Sequence, residues 1–568
     1  MFRNAGLQYL AVIFSVVAAE ASESTSGSPL AGQFQRCHMV SRLDGAEVEY
    51  ALWLPPGYDP ARRWPAIVFL HGSAEGGSWS APTADGASIP VRGAKADLPF
   101  VVIYPLMRGT WSISGLAELD VLETIDDACG RASIDPDRIH LTGISLGGFA
   151  GWRIACRYPD RFASVSLFCG GGEPELAGNL RNVPVRVYHG TADKNVNIRE
   201  SRRMVEAMRA AGMEPVYTEL VDVGHTCWLG PYSGTELYDW MARQVRVADP
   251  RRVSYRTGSL RHHRAYWVSV DAVLDPGMPA SVDAFVPDAG QVLIHAESVG
   301  RLTLSLPASL VPPEAKPAFF VNNQPAQALR VDGGWVVEVA GEARSDRSKR
   351  PGMSGPIQDV FYDPFVVVVP AGTSKDAPVW REVAGRALGW TERLVFKNVR
   401  VVSSDAVTPE LMESLNLICF GDPTEDPWMR EVAESLPVTW SGGRLRVGGE
   451  PGLENAAALV MIYPNPKNPD RYVVLCSGEP GMTAALAAGV LQPPFLSRAP
   501  REDLVVVTTD KEFPLASVPP IDPDRWRSMA DPVPARGAIF DRNWQLGPET
   551  KARLLGADVP RVQTDSRE

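Results

Sequence analysis

A serine hydroxyl is a weak nucleophile at neutral pH, and it becomes useful when a histidine can take its proton and backbone N–H groups face the atom it attacks. The segment Gly143-Ile144-Ser145-Leu146-Gly147-Gly148 has the residue types for such chemistry, with a serine between glycines, after a short apolar run and before small and apolar residues suited to starting a helix. Such a serine sits on a tight strand-to-helix turn that leaves no room for flanking side chains. The pattern alone also describes an ordinary glycine-rich loop, so its partners decide.

Two partners follow in the chain. Asp193 comes just after the apolar run 183–190, in Thr191-Ala192-Asp193-Lys194, and His225 follows run 216–221 on the loop Asp222-Val223-Gly224-His225. A carboxylate that fixes the imidazole tautomer and a histidine that shuttles the proton are what a nucleophilic serine needs. Asp193 by itself reads equally well as a cap for the helical segment 198–211. What decides is the joint order Ser145, Asp193, His225, each at the end of a strand-like run. Asp222 precedes His225 too closely to reach around its ring. The turn His71-Gly72-Ser73 ends another apolar run, 65–70. The N–H groups of Ser73 and Leu146 are assigned to an oxyanion hole, and His71 is read as a brace for the turn, because one histidine suffices as base.

Positioning these residues takes a sheet. Runs 48–54, 65–70, 100–104, 138–142, 163–168, 183–190 and 216–221 read as strands, several of them continuously apolar as in parallel sheets covered on both faces. Segments 116–132 and 198–211 read as helices. With the stretches Leu70-His71-Gly72-Ser73, Ile134-Asp135-Pro136-Asp137-Arg138, Thr142 to Gly148, Cys169-Gly170-Gly171-Gly172, His189-Gly190-Thr191-Ala192-Asp193 and Gly224-His225, the region from about residue 43 to 245 resembles secreted α/β-hydrolases. The group is that of prolyl-oligopeptidase-like (S9) proteins and polyhydroxybutyrate-depolymerase-like esterases. The resemblance implies a serine hydrolase without metal or other cofactor, with Ser145, Asp193 and His225 as its triad. The sequence departs from the group with Ala74-Glu75-Gly76-Gly77, where relatives often place a charged residue, and it has no room for a propeller before residue 36.

The whole chain has 568 residues, 45% hydrophobic and 22% charged, with a formal net charge of −11. Its length suggests three or more domains, and its acidic balance excludes a nucleic-acid partner. Arg3, the apolar run 7–19 and the small residues at Ala19-Glu20-Ala21 read as a signal peptide over 1–21, which places the chain outside the cell or in the periplasm. That run is too short to span a bilayer, so no stable membrane span is expected once it is removed. The 7 cysteines match no metal site, and Cys169 with Cys227 are expected as a disulfide near the site.

The fold class expected is α/β: an α/β-hydrolase domain over 36–247, then a small β-sandwich-like module over 250–340 and a second α/β domain over 355–512. A C-terminal extension, 513–568, packs in part and then frays. Arg261-His262-His263-Arg264 reads as a solvated or interdomain basic patch, and the strand-end loops at 421–423 and 463–466 read as chain turns. The second half resembles the C-terminal extension of some large bacterial S9-like proteins. Three functions compete: a secreted esterase, a serine peptidase of the prolyl-oligopeptidase type, and a surface-binding protein on a hydrolase scaffold. The esterase leads because the pocket loops 76–95 and 170–180 carry no anchor for a peptide, and a binding scaffold has no need of serine, acid and base together.

Overall fold

The computed structural model describes residues 31–72, 98–107, 116–340, 348–394, 399–441, 444–447, 456–491, 502–507 and 535–546. The segment 1–21, Ser73, the loop 76–95 and most of 513–568 lie outside these residues.

The first sheet contains β1 (Phe34–Val40), β2 (Glu47–Trp53), β3 (Trp64–Leu70), β4 (Val101–Pro105), β5 (Ile134–Ile144), β6 (Ser164–Phe168), β7 (Val185–Gly190) and β8 (Val216–Leu220). They lie in the order β1-β2-β4-β3-β5-β6-β7-β8. The pairs β1/β2 and β2/β4 are antiparallel, and every pair from β4 to β8 is parallel. Every residue of β3 is buried, as a strand covered on both faces requires. The helices Leu116–Arg131, Leu146–Arg157 and Arg199–Ala210 provide cover: Val121 and Ile125, Trp152 and Ile154, and Met204 and Met208 share one core with Val68, Leu141 and Val165. This is the α/β-hydrolase fold. The sequence pattern does not reveal β1, because Gln35, Arg36 and His38 break up its apolar residues; pairing with β2 makes it a strand.

Residues 252–338 form two five-stranded sheets. Val253, Val282 and Ile294 of one meet Val270, Leu302 and Val337 of the other in a common core, which is a sandwich. A third, seven-stranded sheet follows. Its strands Val401–Ser403, Phe365–Val369, Asn416–Phe420 and Asn468–Gly478 run parallel, and Ala458–Asn465, Leu504–Val507 and Ala535–Ala538 continue it antiparallel.

Part of the expected C-terminal extension therefore belongs to that sheet. Strand Ala535–Ala538 pairs with Leu504–Val507, and Phe540 and Trp544 are fully buried. Lys349 Nζ lies 2.5 Å from Asp503 Oδ2, with both side chains 1% exposed, and 4.7 Å from the centre of the Trp544 ring. Ala-Arg-Gly-Ala has no strand pattern of its own, so its neighbour's unpaired edge dictates its conformation. The basic patch is an interdomain contact. His262 is buried against the rings of Tyr158 and Tyr362, and burial lowers its pKa. Arg261 binds Asp359 at 2.9 Å and Asp363 at 2.7 Å.

The buried pair at the third sheet gives a stability prediction. Lys349→Met leaves the Asp503 carboxyl in the interior without its cation and costs about 3–5 kcal/mol, whereas Lys349→Met with Asp503→Leu recovers most of it. Guanidinium unfolding of the three proteins checks this, and a single-variant loss below about 1 kcal/mol contradicts it.

Candidate active site

The serine is set by close backbone packing. β5 turns into the helix Leu146–Arg157 at Ser145, which has φ 52° and ψ −116°, a region that non-glycine residues rarely occupy. A Cβ on Gly143 would stand 2.2 Å from the Gly147 carbonyl oxygen, and one on Gly147 would stand 2.1 Å from that of Leu70. Neither position admits a side chain. The Ser145 N–H donates to the Phe168 carbonyl at 3.0 Å, tying the turn to the end of β6.

The sequence-predicted residues come together at the carboxyl ends of the parallel strands. His225 Nε2 lies 2.9 Å from Ser145 Oγ, and His225 Nδ1 lies 2.8 Å from Asp193 Oδ2. The Asp193 side chain is fully buried, and that of His225 is 20% exposed. Burial pushes the Asp193 carboxyl up, but the N–H groups of Val196 and Asn195 together with His225 outweigh it and hold it below the usual carboxylate range. Asp193 Oδ1 accepts both N–H groups, at 2.8 Å from Asn195 and 3.0 Å from Val196. It caps its own turn while partnering the histidine, but it does not cap the helix that follows. Arg199–Ala210 starts after Ile198 with no side-chain cap, so the helix-cap reading of Asp193 does not hold.

Leu146 opens the helix directly after Ser145, where a backbone N–H has no partner within the helix. Gly72 approaches the nucleophile: a Cβ there would lie 3.4 Å from Ser145 Cβ. Ser73, the other expected oxyanion donor, lies outside the described residues. His71 is buried and braces its turn, with Nδ1 2.7 Å from the Gly72 carbonyl oxygen and its ring stacked on Tyr104. Asp222 receives φ 58° and donates its N–H to Thr191 Oγ1 at 2.9 Å, at the start of the loop that carries His225.

The expected disulfide does not form. Cys169 and Cys227 are buried free thiols that share one apolar cluster. Cys169 Sγ donates to the His225 carbonyl at 3.6 Å and Cys227 Sγ to that of Tyr188 at 3.9 Å, so packing holds this loop without a covalent link. Among the described residues, Cys169, Asp193 and His225 bring one potential metal-ligand atom each within 4.8 Å of one another. Those atoms are already engaged in the hydrogen bonds just given. Sequence reasoning passed over Trp228, whose ring meets His225 edge to face at 5.4 Å, and His189, which lies against Asp193. In the third sheet, Asp422 accepts from the Thr424 N–H and Asp426 from that of Met429, so that loop turns the chain.

No protein-family model matches the chain. Over 158 residues it is 26% identical to a probable feruloyl esterase C of Aspergillus terreus, an alignment of 27% of this chain and 57% of that protein. Over 121 residues it is 31% identical to poly(3-hydroxyalkanoate) depolymerase C of Paucimonas lemoignei, covering 19% of this chain and 28% of that one. Over 213 residues it is 24% identical to a probable dipeptidyl-aminopeptidase B of Botryotinia fuckeliana, covering 30% and 23%. The first body is an S9/esterase-like α/β-hydrolase. The chain spans little more than half of the first of these relatives and under a third of the other two.

Two outcomes follow for this hydrolase site. Asp193→Asn, which loses the charge that favours the working tautomer of His225, lowers kcat by on the order of 10⁴-fold, as steady-state rates on an activated substrate will show. Alkylation of denatured, unreduced protein modifies both Cys169 and Cys227; a disulfide-linked peptide containing both contradicts the free-thiol arrangement.

Proposed function

We propose that this chain is a secreted serine hydrolase that cleaves carboxylic esters through an acyl-enzyme. The observation that carries the reading is the continuous contact from Ser145 Oγ through the His225 ring to Asp193 Oδ2, at 2.9 and 2.8 Å. Ser145 Oγ attacks the ester carbonyl carbon while its proton passes to His225 Nε2. Asp193, ionised across the neutral range, stabilises the imidazolium through Nδ1–H. The carbonyl oxygen takes up negative charge, and the N–H groups of Leu146 and Ser73 are assigned to it. The tetrahedral species collapses, the alkoxide leaves with the Nε2 proton as an alcohol, and an acyl-Ser145 ester remains. Water then gives up a proton to Nε2 and attacks the acyl carbon, the bond to Ser145 Oγ breaks to release the acid, and Oγ takes the Nε2 proton back.

Similarity to a feruloyl esterase and a polyhydroxyalkanoate depolymerase supports the ester assignment. Similarity to dipeptidyl-aminopeptidases supports a second reading, an S9-type peptidase. Amide cleavage asks more of the same residues, because the departing amine must be protonated and an extended chain must be held. Secretion rests on the segment 1–21; no described helix is long and apolar enough to cross a membrane. The sandwich and the third sheet are assigned as accessory domains that position the substrate.

Ser145→Ala and His225→Ala each lower kcat by on the order of 10⁶-fold, and the double variant loses little more, because the residues act as one unit. The ester reading predicts that kcat/KM for small acyl or aryl esters exceeds that for matched peptide amides, with Ser145→Ala as blank. Ser145-dependent peptide cleavage as fast as ester cleavage makes the chain a peptidase.

A further inference from the structure

Behind the acid lies a second histidine. His189, near the end of β7, has a fully buried side chain, with Nε2 3.3 Å from Asp193 Oδ2 and 3.1 Å from the Val196 carbonyl oxygen. The oxygen it approaches is the one that His225 Nδ1 binds at 2.8 Å. Two imidazoles from different strand-end segments thus converge on one carboxylate oxygen. On its other side, His189 Nδ1 lies 2.8 Å from Ser201 Oγ, and Ser201 Oγ lies 2.8 Å from the Gly170 carbonyl oxygen. Gly170 in turn packs against the nucleophile's helix, since a Cβ there would stand 2.5 Å from Gly148 C.

These contacts select a protonation state. Burial holds His189 neutral, so the ring carries one proton. Were that proton on Nδ1, the Nε2 lone pair would face two oxygens, those of Asp193 and Val196. With the proton on Nε2, the ring donates to the Val196 carbonyl at 3.1 Å with Asp193 Oδ2 alongside at 3.3 Å. The Ser201 hydroxyl, which lies 2.8 Å from both Nδ1 and the Gly170 carbonyl it otherwise donates to, turns its one proton to Nδ1. The groups around the ring are Asp193 and His225 at Nε2 and Glu219 of β8, which Arg202 binds at 2.8 Å. The Cys169 thiol faces Asp193 from the end of β6.

Resting on the Ser145-Asp193-His225 assignment, we propose that His189 is a positioning residue whose Nε2–H, directed by Ser201, is a second donor to Asp193 Oδ2. It stops the carboxylate from rotating away from His225. It also draws charge from the oxygen that stabilises the imidazolium, and so sets the basicity of His225. Removing this donor has two separable effects: the carboxylate is less well aimed, and the charge it presents to His225 is greater.

The test uses the full chain and an activated nitrophenyl ester. His189→Asn reaches the Nδ1 position but not Asp193, whereas His189→Gln places an amide N–H near the position of Nε2. His189→Asn lowers kcat by roughly 10-fold or more with KM within about twofold, and raises the pKa of the acid limb of kcat/KM. His189→Gln restores both. Equal behaviour of the two variants, or a fall in kcat with an unmoved acid limb, overturns the proposal and leaves His189 a packing residue. Should both variants fail to fold, Ser201→Ala decides: an acid limb moved upward supports the proposal, and an unmoved one overturns it. Hydrolysis by the unsubstituted chain that persists in Ser145→Ala overturns the triad and this proposal together. Ser145-dependent hydrolysis with an unresponsive His189 overturns the proposal alone.

Discussion

The site depends on one constraint, the closeness of three backbones around the turn at Ser145. The end of β3 at Leu70, the start of the helix at Gly147 and the end of β5 at Gly143 approach so nearly that a single methyl group at either glycine would overlap a carbonyl oxygen. That packing holds Ser145 at φ 52°, a conformation that costs on the order of 1–3 kcal/mol and persists only where the surroundings enforce it. In return, Oγ stands at the head of the sheet within reach of His225. The apolar strands β3, β5 and β6 provide the enforcement, and the large core beneath them keeps the turn from relaxing.

The parallel strands solve the next difficulty, bringing residues 145, 193 and 225 to one place. Each lies just past the carboxyl end of a strand, and because β5, β6, β7 and β8 pair in parallel, those ends lie on one side of the sheet. Hence loops far apart in sequence share one edge of the sheet. Asp193 illustrates the economy of the arrangement: one carboxylate oxygen caps its own loop through two N–H groups, and the other serves the histidines. An acid fixed so firmly stays ionised and aimed at His225.

Much of this was legible in the sequence, because the triad residues follow apolar runs in the order of the strands and because the elbow's glycines are local features. The sandwich and the third sheet also announce themselves through alternating and continuous apolar runs. Besides β1 and the contact of Trp228 with His225, three features were not legible. Strand Ala535–Ala538 has the polar and small sequence Ala-Arg-Gly-Ala, and only the exposed edge of Leu504–Val507 gives it a conformation. Cys169 and Cys227 stand near each other, but sequence distance says nothing of how their thiols are aimed, and each turns toward a carbonyl. His189 reads as the end of a buried strand; its relation to Asp193 appears only when the loop folds back across four residues.

The proposed mechanism requires that the setting of Ser145 make its hydroxyl nucleophilic. Reaction with a fluorophosphonate, which phosphonylates activated serines, tests this without assuming a substrate. Peptide mapping by mass spectrometry should find one adduct, on Ser145, and none when His225 is replaced by alanine. An adduct on another serine, or labelling of Ser145 that survives the loss of His225, would contradict the account.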